Sequence, residues 1–182
     1  VRFGNTDLEV SVVVLGTWVT GGWAWGGSDE QESIRTILRA LDLGINFIDT
    51  APVYGFGRSE EIIGKALKQW GKPDRVVLAT KCGLEWDERE RIWRNAKPER
   101  IRQEVEQSLR RLGVDRIDLY QVHWPDPKTA FEESMATLAE LQGQGKIRYV
   151  GLSNFSREQI EACLAAGPVA SLQPPFNLFE RG

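Results

Sequence analysis

Several residue types that mark particular classes of protein are scarce in this sequence. Among its 182 residues there are two cysteines, one histidine and one methionine. Cys82 and Cys163 are far apart in the chain and lie in apolar surroundings, which favours buried thiols over a disulfide framework or a metal site. A reactive thiol is the alternative interpretation.

Long apolar runs and a strong charge imbalance are also absent. No run of about 18 apolar residues occurs, and the start VRFGNTDLEV lacks a signal-peptide pattern, so we expect no membrane segment and a cytoplasmic protein. Basic side chains number 23 and acidic ones 26, which makes nucleic acid an unexpected partner. With no linker-like tract, we predict one domain over residues 1–182.

Apolar β-type runs alternate with amphipathic helical stretches. The six runs are VVVLGTW (12–18), NFIDTA (46–51), VVLATK (76–81), DLYQVHW (118–124), RYVGLSN (148–154) and SLQPPF (171–176). Between them, apolar residues recur at helical spacing, as in Ile34, Ile37, Leu38 and Leu41. The resulting β(αβ)5 order indicates a parallel sheet with helical crossovers, preceded by a hairpin over residues 2–10.

Helix ends carry their own signals. The pairs spaced as capping boxes are Ser28 with Gln31 and Ser156 with Gln159. Ser59 is predicted to cap the second helix, and Pro98 to occupy the first turn of the third.

Two parallel architectures fit this order, an open doubly wound sheet and a (β/α)8 barrel. LGTWVTGGWAWGG, after the first run, lacks the glycine spacing of a dinucleotide-binding sheet, and GFGRSEEIIG (55–64) is only a loose glycine pattern. The fold class predicted is therefore α/β, a (β/α)8 TIM barrel. It is incomplete, with about six strands and five helices, because a full barrel takes roughly 250 residues.

Polar residues that end the apolar runs are the candidates for chemistry, since barrel active sites lie at the carboxyl ends of the strands. These are Asp49, Tyr54, Lys81 and His123. Taken singly, each has a structural interpretation, such as a capping aspartate or a core histidine. Together, an acid, a phenol, an amine and an imidazole at one rim indicate proton transfer. Lys81, held by Asp49, would assist the phenol of Tyr54 as proton donor, while His123 orients the substrate oxygen.

Several segments resemble the aldo-keto reductases in near-continuous order from about residue 10 to the end. They are INFIDTAPVYGFGRSEEIIGKAL, VVLATK, LGVDRIDLYQVHWPD, GKIRYVGLSNFS and SLQPPFNLFERG; GTWVTGGWAWGG further resembles the bacterial general-stress branch of that family. The resemblance implies an aldo-keto reductase barrel that reduces aldehydes or ketones with NADPH (NADP⁺). It also implies that Asp49, Tyr54, Lys81 and His123 are the catalytic tetrad.

The resemblance extends to the cofactor contacts. Ser153, Asn154 and Gln173 correspond to the partners of the nicotinamide carboxamide, and Asp49 also lies on the cofactor side. Thr17 and Trp18 would line the nicotinamide ribose. The alternative for Asn154 is a helix cap.

The substrate pocket is predicted to be aromatic. Six tryptophans fall in or beside rim segments, namely Trp18, Trp23, Trp25, Trp86, Trp93 and Trp124, and about three of them should touch substrate. Trp23, Trp86 and Trp124 are the residues selected. The charged loop over 83–97 is predicted to be a solvated lid, with an anion-binding site for substrate as the alternative.

Two other functions stay open. The same fold serves as a cofactor-binding regulatory β subunit of potassium channels, and a barrel lacking its last strands could be an inactive fragment. A monomer or weak homo-oligomer acting on a small carbonyl compound is the expectation favoured here.

Overall fold

Six short parallel strands form the centre of the molecule, in a computed structural model that describes residues 1–179. The strands are β1 (Leu15–Gly16), β2 (Phe47–Asp49), β3 (Val77–Cys82), β6 (Ile117–Val122), β7 (Ile147–Ser153) and β8 (Ser171–Gln173). Their order in the sheet is the order in the chain, and every neighbouring pair is parallel. With five crossover helices the sheet forms an incomplete (β/α)8 barrel, which confirms the predicted fold class.

Strands β1, β2 and β8 are shorter than the apolar runs that contain them, whereas β3, β6 and β7 lie within one or two residues of the predicted bounds. The first run reduces to Leu15–Gly16, and Val12, Val13 and Val14 are exposed. Among residues 1–179, β1 pairs only with β2, so these valines have no strand on their other side to pack against. The single-domain prediction covers residues 1–182, of which 180–182 lie outside the described residues, and it stays a prediction.

The helices pack one apolar stripe each against the sheet. They are α1 (Glu30–Asp42), α2 (Arg58–Trp70), α3 (Pro98–Leu112), α4 (Phe131–Gly143) and α5 (Arg157–Ala166). In α1 the predicted stripe is buried at Ile34, Ile37 and Leu41, with Leu38 packed beside them. None of the helices within residues 1–179 has the length and apolar character needed to cross a membrane.

Helix starts were predictable only in part. Ser156 and Gln159 form the predicted capping box of α5, and Pro98 begins α3 as expected. The box of Ser28 with Gln31 is wrong, because the side chain of Asp29 caps α1 by accepting from the Glu32 N–H at 2.7 Å.

Ser59 does not cap α2. Gly57, with φ of 102°, precedes that helix, and no side chain caps its first turn. Ser59 is buried, and its hydroxyl donates to the carbonyl oxygen of Thr17 at 3.1 Å. The serine therefore ties α2 to the end of β1.

The segment 83–97, predicted to be a solvated lid, contains a two-stranded hairpin. Strand β4 (Leu84–Trp86) pairs antiparallel with β5 (Ile92–Arg94), and neither pairs with the main sheet. Asp87 closes the turn by accepting from the backbone N–H groups of Arg89 and Arg91, both at 3.0 Å. The charged residues 87–91 lie at this solvated tip. The two strands extend from the tip over the barrel rim.

The opposite end of the sheet is covered by the N-terminal segment. Arg2 and Glu9 form an antiparallel bridge, as the predicted hairpin requires. Leu8 and Val10 are buried against Phe47 and other residues near the strand starts. The amino ends of the strands are therefore closed, whereas the carboxyl ends are open. Both cysteines are buried and free, as predicted.

Candidate active site

The carboxyl ends of the strands bring the predicted site residues to one rim. Asp49, Ser153 and Gln173 are the last residues of β2, β7 and β8. Lys81 lies one residue before the end of β3, and His123 directly follows β6. Parallel pairing in register places these five positions along a single edge.

Lys81 is the buried centre of the site. Its Nζ donates to both carboxylate oxygens of Asp49, at 3.0 and 2.9 Å, and to the carbonyl oxygen of Thr50 at 2.8 Å. The Tyr54 hydroxyl lies 3.4 Å from the same nitrogen. The Lys81 side chain is only 2% exposed, so it depends on these partners to remain charged in the interior.

Tyr54 is held by a close approach of two loops. Gly21, in a short 3-10 turn after β1, packs so tightly on the backbone of Tyr54 and Gly55 that a Cβ at Gly21 would collide with it. Gly55 has φ of 67°, a left-handed conformation that favours glycine. These two glycines fix the loop that presents the Tyr54 hydroxyl to Lys81.

His123 completes the group of four. Its ring meets that of Tyr54 edge to face, with centroids 5.9 Å apart. Burial, and secondarily the charge of Lys81, lower the pKa of His123 to about 3. The imidazole is therefore neutral at physiological pH, where it can donate a hydrogen bond but does not act as an acid.

Amide and hydroxyl groups gather beside the tetrad. Asn154 Nδ2 donates to the carbonyl oxygen of His123 at 2.9 Å and to Ser153 Oγ at 3.0 Å. Asn154 has φ of 64°, and its backbone N–H donates to the carbonyl oxygen of Gln173 at 3.3 Å. The helix-cap alternative for Asn154 is wrong, because Ser156 caps α5.

Gln121 is a site residue that the sequence reasoning missed. Its Nε2 donates to Asp49 Oδ1 at 3.4 Å and to Gln173 Oε1 at 3.3 Å. Gln173 Nε2 in turn donates to Asp49 Oδ2 at 3.4 Å. Side chains alternate along a strand, so a residue two positions before His123 faces the same interior, and this parity was the available signal.

Thr17 and Trp18 differ in their surroundings. Thr17 is buried, and its hydroxyl donates to the carbonyl oxygen of Asp49 at 2.9 Å. Trp18 is about half exposed and stacks in a tilted arrangement on Tyr54, with centroids 6.2 Å apart. Only Trp18 of the pair presents a surface for a ligand.

A cavity of about 420 Å³ opens over Tyr54 and His123. Four tryptophans line it, namely Trp18, Trp23, Trp93 and Trp124. Trp86 is not among the lining residues, because it packs against Phe56 at 5.6 Å between centroids and under the Arg100 guanidinium. The cavity is thus aromatic and of a size that suits a small molecule.

The neutral polar side chains at the rim have the hydrogen-bonding groups that a nicotinamide carboxamide needs. A carboxamide needs both donors and acceptors, and the neutral side chains of Ser153, Asn154 and Gln173 offer both. Oδ1 of Asn154 accepts no hydrogen bond from the part of the chain that the structure describes. Asn154 contacts the backbone of His123, and Gln173 contacts Asp49.

Comparisons with known proteins identify the family of the chain. Residues 12–182 match the model of the Aldo/keto reductase family. The aldo-keto reductase YhdN of Bacillus subtilis is 55% identical over 97% of this chain, and the NADH-specific methylglyoxal reductase of Escherichia coli is 42% identical over 100% of it. The matches cover 53% and 60% of those proteins, so the chain spans little more than half their length.

A solved structure supports the fold directly. The glycerol dehydrogenase of Gluconobacter oxydans superimposes with a TM-score of 0.89 at 53% identity, over 99% of this chain and 56% of that one.

Proposed function

Because the chain belongs to the aldo/keto reductase family, we propose that the protein reduces aldehydes or ketones to alcohols with a nicotinamide cofactor, and that Tyr54 donates the proton. The observation that carries this proposal is the contact of the buried Lys81 ammonium with both Asp49 and the Tyr54 hydroxyl, beneath the cavity. A small carbonyl compound fits the cavity.

Each residue has a defined task in the proposed reaction. When bound, a reduced nicotinamide supplies the hydride for the carbonyl carbon. Tyr54 transfers its phenolic proton to the carbonyl oxygen, and the adjacent Lys81 charge stabilises the phenolate that is left. His123, being neutral, donates a hydrogen bond to the same oxygen and orients it.

Ser153, Asn154 and Gln173 are proposed to hold the nicotinamide carboxamide, with Trp18 beside the ribose. Thr17 acts indirectly in this scheme, because its hydroxyl fixes the backbone of Asp49. We propose NADPH as the cofactor, from the family resemblance. One relative is named an NADH-specific reductase, so both nucleotides belong in the assay. The expected cytoplasmic location, the weak or absent self-association and the lack of nucleic-acid partners stay predictions.

Replacing Tyr54 by phenylalanine tests the proposal. Tyr54→Phe should lower kcat for an aldehyde by about 10²- to 10⁴-fold while leaving NADPH binding, followed by nucleotide fluorescence, nearly unchanged. Tyr149→Phe is the matched control, because its hydroxyl bonds Asp7 at the opposite end of the barrel. Wild-type kcat in Tyr54→Phe would refute the role of this phenol.

A further inference from the structure

The cavity contains one permanently charged side chain among the described residues. Arg94 lines it together with aromatic, aliphatic, imidazole and amide groups, and no carboxylate of residues 1–179 takes part in the lining. A guanidinium keeps its charge at every physiological pH. The space above Tyr54 is therefore apolar with a single fixed positive charge.

Arg94 is exposed on the cavity side of the hairpin, where two contacts orient it and no carboxylate of residues 1–179 pairs with it. Its Nη1 donates to the carbonyl oxygen of Pro125 at 3.2 Å, and its guanidinium stacks 5.0 Å from the ring centre of Trp124. No ion pair within residues 1–179 includes Arg94. The hydrogen bond to Pro125 uses one of the five N–H donors of the guanidinium, so the others remain available to a ligand. Stacking on the Trp124 ring orients the planar group before a ligand binds.

The hairpin that carries Arg94 is anchored at its base. Glu104 Oε2 accepts from the Gly83 N–H at 2.8 Å, and Arg100 Nη2 donates to the carbonyl oxygen of Leu84 at 3.2 Å. Arg100 and Glu104 also pair with each other at 3.1 Å. Because α3 fixes the start of β4, its partner strand β5 presents Arg94 at a defined position on the cavity wall.

We propose that Arg94 is a specificity-determining residue that selects carbonyl substrates bearing a carboxylate. The inference rests on the proposed function, since it places the reacting carbonyl at Tyr54 and His123 and the carboxylate at the guanidinium. Arginine binds carboxylates through two parallel hydrogen bonds, which give both affinity and orientation. The tryptophans between these ends suit an aromatic or aliphatic spacer.

Binding of a charged and a neutral aldehyde of the same shape tests the proposal. The probes are para-formylbenzoate and para-formylbenzamide, titrated calorimetrically into the purified protein. Because Arg94 is exposed and its charge is screened by solvent, the benzoate should bind about threefold to tenfold more tightly. In Arg94→Gln the two should bind within about twofold of each other, because the benzoate loses more affinity than the neutral benzamide.

Two further variants make the result specific. Arg91→Gln removes the same charge from the same hairpin, but Arg91 pairs with Asp87 at the solvated tip, so this variant should retain the preference. Arg94→Lys keeps the positive charge but not the planar pair of N–H donors, so it should retain part of the preference for the benzoate. Equal binding of both probes by the wild-type protein, or an unchanged preference in Arg94→Gln, would overturn the proposal.

Turnover of the same two compounds separates this inference from the proposed function. In Arg94→Gln the loss of the preference should appear mainly as a higher KM for the benzoate. A binding preference without any NADPH- or NADH-dependent turnover would support the Arg94 site and contradict the reductase. Turnover of both compounds with equal kcat/KM would support the reductase and contradict the Arg94 site.

Discussion

Two buried ion pairs in this molecule use the same chemistry for different ends. In one, Lys81 pairs with Asp49 at the open rim of the barrel, and the Asp49 side chain remains 14% exposed. In the other, Arg111 of α3 pairs with Glu60 of α2 at 2.7 Å, and Glu60 is fully buried. Each cation meets a carboxylate with good geometry.

The difference lies in what else each pair faces. The Glu60 carboxylate also accepts a hydrogen bond from the Thr80 hydroxyl at 2.7 Å. It is therefore enclosed between helices α2 and α3 and strand β3. Lys81 has the Tyr54 hydroxyl as a further neighbour, directly below the cavity. A buried ion pair is therefore not enough to identify a candidate reaction site. The Lys81 pair differs because the hydroxyl group next to it, that of Tyr54, lines the cavity.

Replacing Lys81 should have the largest effect on activity. Lys81→Met removes the charge that stabilises the Tyr54 phenolate, so kcat should fall by about 10²- to 10⁴-fold. Arg111→Met, the corresponding change in the outer pair, should leave kcat at the wild-type level. Steady-state kinetics of both folded variants checks the contrast, and a similar loss of kcat in each would erase it.

Replacing Arg111 should lower the free energy of unfolding rather than the activity. Arg111→Met leaves the Glu60 carboxylate buried with Thr80 alone, and breaking such a pair costs about 3–5 kcal/mol of unfolding free energy. Glu60→Met combined with Arg111→Met removes both charges and should recover much of that loss. Urea unfolding of the single and double variants measures this, and an additive loss would contradict it.

A third buried carboxylate sharpens the comparison through pH. Burial raises the pKa of Glu104 from 4.5 to about 7, despite its bonds to Arg100 and the Gly83 N–H. Between these values the unfolded chain releases a proton that the folded one retains. The contribution of Glu104 to the free energy of unfolding is thus complete below pH 4.5. About 3 kcal/mol of it is lost as the pH rises to about 7.

Glu104→Gln should flatten this part of the curve of unfolding free energy against pH. Urea unfolding at several pH values between these limits makes the measurement. Glu161→Gln, on an exposed position of α5, is the control and should keep the wild-type slope. An identical slope in Glu104→Gln would show that the carboxyl is ionised throughout.

The smallest effect is expected at His123, the only histidine of the chain. Because burial and the Lys81 charge lower its pKa to about 3, its imidazole resonances should not titrate between about pH 8 and about pH 5. In Lys81→Met, loss of the neighbouring charge should raise this pKa. A wild-type NMR titration with a midpoint near 6.5 would contradict a neutral, hydrogen-bonding role.

The strand order and the tetrad were predictable because both follow from local patterns. Apolar runs identify the strands, and their final polar residues must meet at one edge of a parallel sheet. Asp49, Lys81 and His123 needed nothing more. The same logic, applied to parity within DLYQVHW, would also have found Gln121.

Features that depend on tertiary contact were not predictable from these patterns. Gly21 matters because another loop approaches it, and nothing in its own segment announces that neighbour. Ser59 has the residue type of a cap but bonds β1 instead. Trp86 and Trp25 resemble the cavity tryptophans in sequence, yet one packs on Phe56 and the other edge-on against Trp18.

The separation of the β4–β5 hairpin from the main sheet has a consequence for engineering the protein. Within residues 1–179 its two strands pair only with each other, yet Leu84, Ile92 and Arg94 contribute a wall of the cavity. A substitution at Ile92 or Arg94 therefore changes the cavity wall without altering the register of the parallel sheet. The cavity and the barrel can be varied separately, which makes this hairpin the natural segment for redesigning what the cavity binds.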